Sequence, residues 1–283
     1  MATQRSFGVS THLYHGSRLN RDHLVEIGSF GFRAVELFAT RTHFDYHSEA
    51  AVADLQQWLA EAGVELQSVH APVGESFSAG RWNLPLSLAS ADRDARARAV
   101  AEAERALQIA RRIPFEVLVT HVGVPRWAPT AAADNSRDAA RRSIEELCAA
   151  AAPLGVRIAV EVMPNELSRA GSLVHFVERV VDAADVGICL DFGHAQLEGD
   201  LVEAVETVSE HLLAVEVHDN NRRADDHLVP FEGSVDWPGA LTAVQKVGYE
   251  GTLIFEIAGR GSTKEILSRA RKAREKMERL LVD

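Results

Sequence analysis

Cysteine is almost absent from the 283-residue chain. Only Cys148 and Cys189 occur, too few for a disulfide framework or a cysteine zinc site. Each falls inside a regularly patterned apolar stretch, where a small buried thiol is the expectation. Long apolar runs are also missing; none approaches the roughly 20 residues that cross a bilayer. The opening Met1-Ala2-Thr3-Gln4-Arg5 lacks the apolar core of a secretory signal, so a soluble cytoplasmic protein without membrane contact is expected. Positive charge is in deficit, with 30 Lys and Arg against 41 Asp and Glu and a net charge of −11. That balance disfavours a surface that coats nucleic acid. Linkers, low-complexity segments and breaks in composition are lacking too, and one domain over residues 1–283 is expected. Hydrophobic residues at 46% and charged residues at 25% describe an ordinary globular chain and exclude disorder and collagen.

What the chain does have is a rhythm. Short apolar runs of strand length recur at Phe7–Tyr14, Ala34–Phe38, Leu66–His70, Val117–His121, Ile158–Val162, Val186–Asp191, Leu213–His218 and Thr252–Ile257. Most are followed by a polar loop and a stretch of helical periodicity. Glu49–Ala62 places Val52, Leu55, Leu59 and Ala62 on one side, and Ala95–Ile113, Arg137–Ala152, Ser172–Ala183, Leu201–His211, Trp237–Val247 and Thr263–Leu280 behave alike. Gly63, Gly155 and Gly248 stand where a left-handed residue closes a helix. Ser172 and Thr263 are placed to cap helix starts. Eight apolar strands separated by helices predict parallel strands covered by helices, and the number predicts a closed (β/α)8 barrel of the α/β class. An open nucleotide-binding sheet is disfavoured, because the first strand leads to Gly16 without a G-x-G-x-x-G turn.

Chemistry in such a barrel sits at the C-terminal ends of the strands, and there polar residues interrupt the apolar runs. They are Glu36, His70, His121, Glu161, Asp191, His218 and Glu256. A carboxylate inside an apolar strand costs several kcal/mol to desolvate, and several acids brought to one rim also repel one another. A divalent cation removes both penalties, and carboxylate oxygens with neutral imidazoles are its natural ligands. The pattern predicts a metal site, with Mn, Mg, Co, Fe or Zn as candidate ions. Asp225-Asp226-His227 adds an Asp-x-His pair in the loop after the seventh strand. Trp82 and Trp127, with Phe38 and Phe77, are candidate stacking surfaces for a ring. Gly259-Arg260-Gly261 lies where many barrels hold a phosphate. The last helix, Lys264–Arg279, interleaves both charge signs and reads as a solvated face.

These residues together resemble the xylose isomerase-like barrels, a superfamily of sugar isomerases and epimerases that also includes hydroxypyruvate isomerase, inosose dehydratase and the endonuclease IV class of abasic-site nucleases. The resemblance runs from Phe7 to the last helix. It is carried by Ser68-Val69-His70-Ala71-Pro72, Leu190-Asp191-Phe192-Gly193-His194-Ala195 and the stretch from Asp225 to Trp237. It implies that Glu161, Asp191, His218 and Glu256 bind one divalent metal. It also implies that Glu161 and Glu256 are the catalytic pair, passing a proton to and from carbon through an enediolate. Substrate-binding roles fall to His70, His121, His194 and Arg223. The implied partner is a small carbohydrate, a keto-sugar or related hydroxy-carbonyl compound, and homo-oligomerisation stays open. A dehydratase or lyase of the same branch would share the enolisation. The endonuclease IV pattern is an alternative: it finds all nine ligands of a three-metal cluster, adding His70, His121, His194, Asp225 and His227. Nucleic acid is the disfavoured partner, because Arg81, Arg126, Arg222, Arg223 and Arg260 are scattered among acidic residues and no rim loop holds a basic cluster. A non-catalytic binding barrel fits less well, since binding alone needs no opposed pair of glutamates.

Overall fold

The computed structural model describes residues 5–78, 81–259 and 261–281. Its strands are β1 (Phe7–Ser10), β2 (Ala34–Phe38), β3 (Glu65–His70), β4 (Gly74–Ser78), β5 (Arg81–Pro85), β6 (Val117–Thr120), β7 (Arg157–Glu161), β8 (Val186–Asp191), β9 (Leu212–Val217) and β10 (Leu253–Phe255). Its α-helices are α1 (Arg21–Ser29), α2 (Glu49–Ala62), α3 (Arg93–Leu107), α4 (Arg137–Ala151), α5 (Ala170–Arg179), α6 (Phe192–Glu198), α7 (Leu201–Val208), α8 (Trp237–Lys246) and α9 (Thr263–Leu280). All strands except β4 and β5 pair in parallel with their chain neighbours, and β1 pairs with β10 to close the ring. The expected (β/α)8 barrel is the architecture observed. No described helix is long and apolar enough to cross a membrane.

Local chemistry sets most boundaries. Helix α2 begins where the Ser48 side chain accepts from the Ala51 amide and ends at Gly63, whose φ of 64° few other residues adopt. Its buried Val52, Leu55 and Leu59 recur at helical spacing. The first predicted strand is shorter than expected, because after Ser10 the chain turns into a 3-10 helix at Thr11–Tyr14. The two predicted caps are also corrected. Ser262, not Thr263, caps α9, in a reciprocal box with Glu265. Ser172 lies inside α5, and its hydroxyl donates to the Glu166 carbonyl oxygen at 2.9 Å. Both cysteines are free and buried, as expected.

Two apolar clusters reveal which way each strand faces. The larger, between barrel and helices, takes Leu118 from β6, Ile158 and Val160 from β7, Ile188 and Leu190 from β8, and Val215 and Val217 from β9. The smaller takes the alternate residues: Val117, Val119, Ala159 and Cys189, packed with Ala214. Side chains alternate along a strand, so the smaller set fills the barrel interior. Two residues further along the same inner rows stand His121, Glu161, Asp191 and Glu216, and His218 follows Glu216 by two more. On the other strands Val35, Leu37, Val69, Leu253 and Phe255 belong to the outer cluster, which leaves Glu36, Phe38, Ser68, His70, Ile254 and Glu256 on the inner rows. The strand period therefore assembles the polar ring.

Candidate active site

The upper end of the interior gathers the polar residues. Glu161 is 1% exposed and shares its two oxygens among three imidazoles. Oε2 lies 3.1 Å from His70 Nε2 and 2.9 Å from His121 Nε2, and Oε1 lies 2.9 Å from His194 Nδ1. His194 reaches this position because Asp191 caps α6, its Oδ1 accepting from the His194 amide at 2.6 Å. That cap places the imidazole in the first helical turn, directly over the ring. Gly193 beside it has no substitute with a side chain, since a Cβ there would overlap the His218 imidazole. Across the ring, Asp225 Oδ2 lies 3.0 Å from His194 Nε2 and 3.3 Å from His227 Nε2.

Three imidazoles are oriented by the backbone. His70 Nδ1 donates to the Ala71 carbonyl oxygen at 2.9 Å, His227 Nδ1 to the Glu256 carbonyl oxygen at 2.9 Å, and His218 Nδ1 to the Asp219 carbonyl oxygen at 3.4 Å. Each thereby turns Nε2 into the site, the arrangement typical of a ligating histidine.

The donor set fits a divalent cation on an observation independent of any pattern. His218 Nε2 and Asp191 Oδ1 lie 3.0 Å apart, yet His218 Nε2 takes part in no hydrogen bond, and neither do Asp191 Oδ2 and Asp225 Oδ1. His218 and Asp191 are fully buried. Buried polar atoms without partners are costly, and atoms that converge without bonding to each other leave a place for an ion. Ligand atoms come within 4.8 Å of one another in four groups at this site: His70, His121 and Glu161; Glu161, Asp191 and His194; Asp191, His218 and Glu256; and His194, His218, Asp225 and His227. All nine residues of the sequence pattern are therefore brought together. Arg223 is not among them; it is exposed in the loop after β9, outside the lining of the cavity described below.

Protons balance the charge when no cation is present. Burial opposes ionisation of Glu161, but His121, His194 and His70 hold its carboxyl well below the usual range. Burial likewise opposes charge on His70 and His227, but Glu161 raises His70 to about 9, and Asp225 with Glu256 raises His227 to about 10. His194 is raised well above its ordinary value by Asp191 and Asp225 against the same burial. Glu256 differs. Burial raises it to about 7, with Glu161 and Asp191 adding to the rise and His227 and His70 opposing it. One glutamate is thus held ionised while the other sits near neutrality.

Above the ring opens a cavity of about 470 Å³ whose lining includes Glu256, His121, His194, Asp225 and His227. The β4–β5 hairpin forms one wall. Trp82 packs with Phe77 at 4.8 Å, Phe38 at 5.7 Å and His15 at 5.8 Å between ring centroids. Trp127 stands apart, exposed, with Arg126 over its ring. Of the Gly259-Arg260-Gly261 segment, Arg260 lies outside the described residues.

Other contributions had not been read from the sequence. His12, in the 3-10 turn, lines the cavity with Nδ1 buried and without a hydrogen bond; its signal was a histidine two residues beyond an inward-facing serine. Asp219 organises the loop that carries Asp225 and His227. Its Oδ1 accepts from the Asn220 and Val235 amides, and its Oδ2 from the Phe231 amide and Trp237 Nε1, all at 2.9–3.0 Å. Glu36, counted with the rim residues, lies one row lower, where Ser68 Oγ donates to it at 2.8 Å.

Fold and site together define a parallel (β/α)8 barrel with a buried ring of carboxylates and imidazoles at its upper end, and the chain belongs to the xylose isomerase-like TIM barrel family, whose model matches residues 24–281. It is 28% identical over 275 residues to the uncharacterized protein MJ1311 of Methanocaldococcus jannaschii, covering 92% of this chain and 87% of that one. Among solved structures it resembles a D-tagatose 3-epimerase-like protein, with 24% identity, 98% of both chains covered and a TM-score of 0.79. A D-psicose 3-epimerase in the presence of D-fructose matches at 19% identity, covering 98% of this chain and all of that one, with a TM-score of 0.76.

Proposed function

We propose that the protein is a divalent-metal-dependent isomerase or epimerase of a keto-sugar or related small hydroxy-carbonyl compound. The observation that carries this reading is geometric: two buried glutamates, Glu161 and Glu256, stand on one ring of carboxylates and imidazoles, and Glu256 borders a cavity of about 470 Å³. Two carboxyls beside one bound substrate can divide the base and acid roles of a proton transfer. Glu161 takes the proton from carbon beside the carbonyl, and Glu256 returns one to the neighbouring carbon or the opposite face. Loss of a hydroxyl after the first step makes the same pair a dehydratase. The residues that would hold the cation are Glu161, Asp191, His218 and Glu256. When bound, it supplies Lewis-acid polarisation of the substrate's oxygens. In this reading His121 and His194, which border the cavity, hold substrate hydroxyls, and exposed Arg223 takes no part. The epimerase neighbours support a carbohydrate substrate.

A second reading is favoured by one observation. His70, His121, Asp225 and His227 complete two further ligand groups beside the first, as a three-metal phosphoester hydrolase requires. The size of the cavity and the net negative charge weigh against a duplex.

The two readings are separated by incubating metal-loaded protein in deuterated water with a panel of ketopentoses and ketohexoses, and in parallel with an abasic duplex, while counting ions per chain. Exchange of a carbon-bound proton with one ion per chain is expected. Incision of the duplex with three ions per chain and no exchange would replace the isomerase reading.

A further inference from the structure

The cavity lining is of two unlike kinds. One is polar: His12, His121, His194, Asp225, His227 and Glu256. The other is apolar, formed by Trp82, Leu86, Val124, Pro125, Pro129 and Met163. A free hexose can lay one C–H face on an aromatic ring such as Trp82, but each of its hydroxyls directed at the other apolar side chains would lose water without gaining a partner.

Among the described residues, lysine and arginine are missing from the lining. Arg126 is committed to the Glu198 carboxylate, and Arg222 Nη1 donates to the Gly199 carbonyl oxygen at 3.0 Å. The helix N-terminus that many barrels offer to a phosphate, here that of α9, is already filled. Ser262 Oγ caps it, and the Glu265 carboxylate accepts from the Ser262 amide at 2.8 Å. A phosphate is best held by arginine, lysine or free backbone donors, whereas the ionisable groups of this lining are the carboxylates Asp225 and Glu256 and four imidazoles.

We infer that the substrate is an unphosphorylated sugar derivative bearing an apolar substituent, with its hydroxy-carbonyl end over Glu256, His194 and Asp225 and its substituent against Leu86, Val124, Pro129 and Met163. The inference rests on the isomerase reading above and narrows its substrate class. Affinity grows with the apolar area removed from water, so the substituent acts as the anchor and the polar end as the reacting group.

The test uses three ligands differing at one oxygen. The ketohexose of the panel that exchanges most rapidly, its 6-O-benzyl ether and its 6-phosphate are titrated calorimetrically into metal-loaded protein. The benzyl ether is expected to bind at least tenfold tighter than the free sugar, and the phosphate no tighter. Val124→Asn should cut the benzyl advantage several-fold at unchanged metal content, which serves as the folding control. Equal binding of sugar and benzyl ether, or tighter binding of the phosphate, with proton exchange intact, overturns the inference alone. If no sugar binds or exchanges, the isomerase reading falls and the inference falls with it.

Discussion

Replacing Glu256 by glutamine separates catalysis from stability. The side chain is 4% exposed, and its carboxyl is raised by burial from an ordinary value of 4.5 to about 7. A carboxyl whose folded value exceeds its unfolded value stabilises the protein fully below the unfolded value, and that contribution is lost as pH rises through the folded one. In the metal-free protein the loss falls between about pH 4.5 and pH 7 and is on the order of 3 kcal/mol at 1.36 kcal/mol per unit. Glutamine keeps the shape and never ionises. Metal-free Glu256→Gln should therefore be more stable than the parent at pH 8, by up to that amount, and little different near pH 4.5. Its proton exchange with substrate should fall by roughly 10²- to 10⁴-fold, or about 2.7–5.4 kcal/mol of barrier. Urea unfolding at the two pH values and deuterium exchange followed by NMR measure the two effects. Undiminished exchange would remove Glu256 from the chemistry, and destabilisation at pH 8 would refute the electrostatic reasoning.

Other perturbations probe the supports of the site. Asp219→Ala removes the acceptor of four donors, three of them buried, and should destabilise by about 3–5 kcal/mol while lowering metal affinity, read by denaturant titration and metal analysis; a mild effect on both would make the Asp219 network incidental. Glu216 has two buried oxygens without hydrogen bonds, and burial and the neighbouring Glu36 carboxylate raise it well above the carboxylate range. By the same sign argument, Glu216→Gln should stabilise metal-free protein above neutral pH by about 1–3 kcal/mol, seen as a higher melting temperature. Loading a cation at Glu161, Asp191, His218 and Glu256 should displace the proton that burial favours on Glu256, so calorimetric titrations in buffers of different ionisation enthalpy should show proton release and affinity rising with pH. Affinity independent of pH would place the ion elsewhere.

Much of this was legible in the sequence, and the reason is the recurrence of apolar runs with polar residues at their ends. His121, Glu161 and Asp191 interrupt or close apolar runs of strand length, which was enough to place them at the strand ends; that they share an inner row with Val119, Ala159 and Cys189 comes from the packing. Glu36 was misplaced because a sequence shows that a residue faces inward but not at what height in the barrel. Helix α1 escaped notice because only Leu24 and Ile27 are buried among its nine residues, too few to mark a period; its one signal was Asn20, whose side chain accepts from the Asp22 and His23 amides. Helix α6 was hidden by its own cap, since Asp191 reads equally as the end of a strand. The β4–β5 hairpin, where Phe77 pairs with Trp82, is mostly solvent-facing, so packing left little pattern to read. The role of Asp219 depends on donors as distant as Val235 and Trp237, which only the folded loop brings together.

The decisive measurement follows the hydrogen atom itself. Metal-loaded protein in deuterated water should wash the proton beside the carbonyl out of its keto-sugar, at a rate abolished by chelation and reduced at least a hundredfold in Glu256→Gln. Unlabelled sugar throughout, together with cleavage of an abasic strand by the same preparation, would contradict the account.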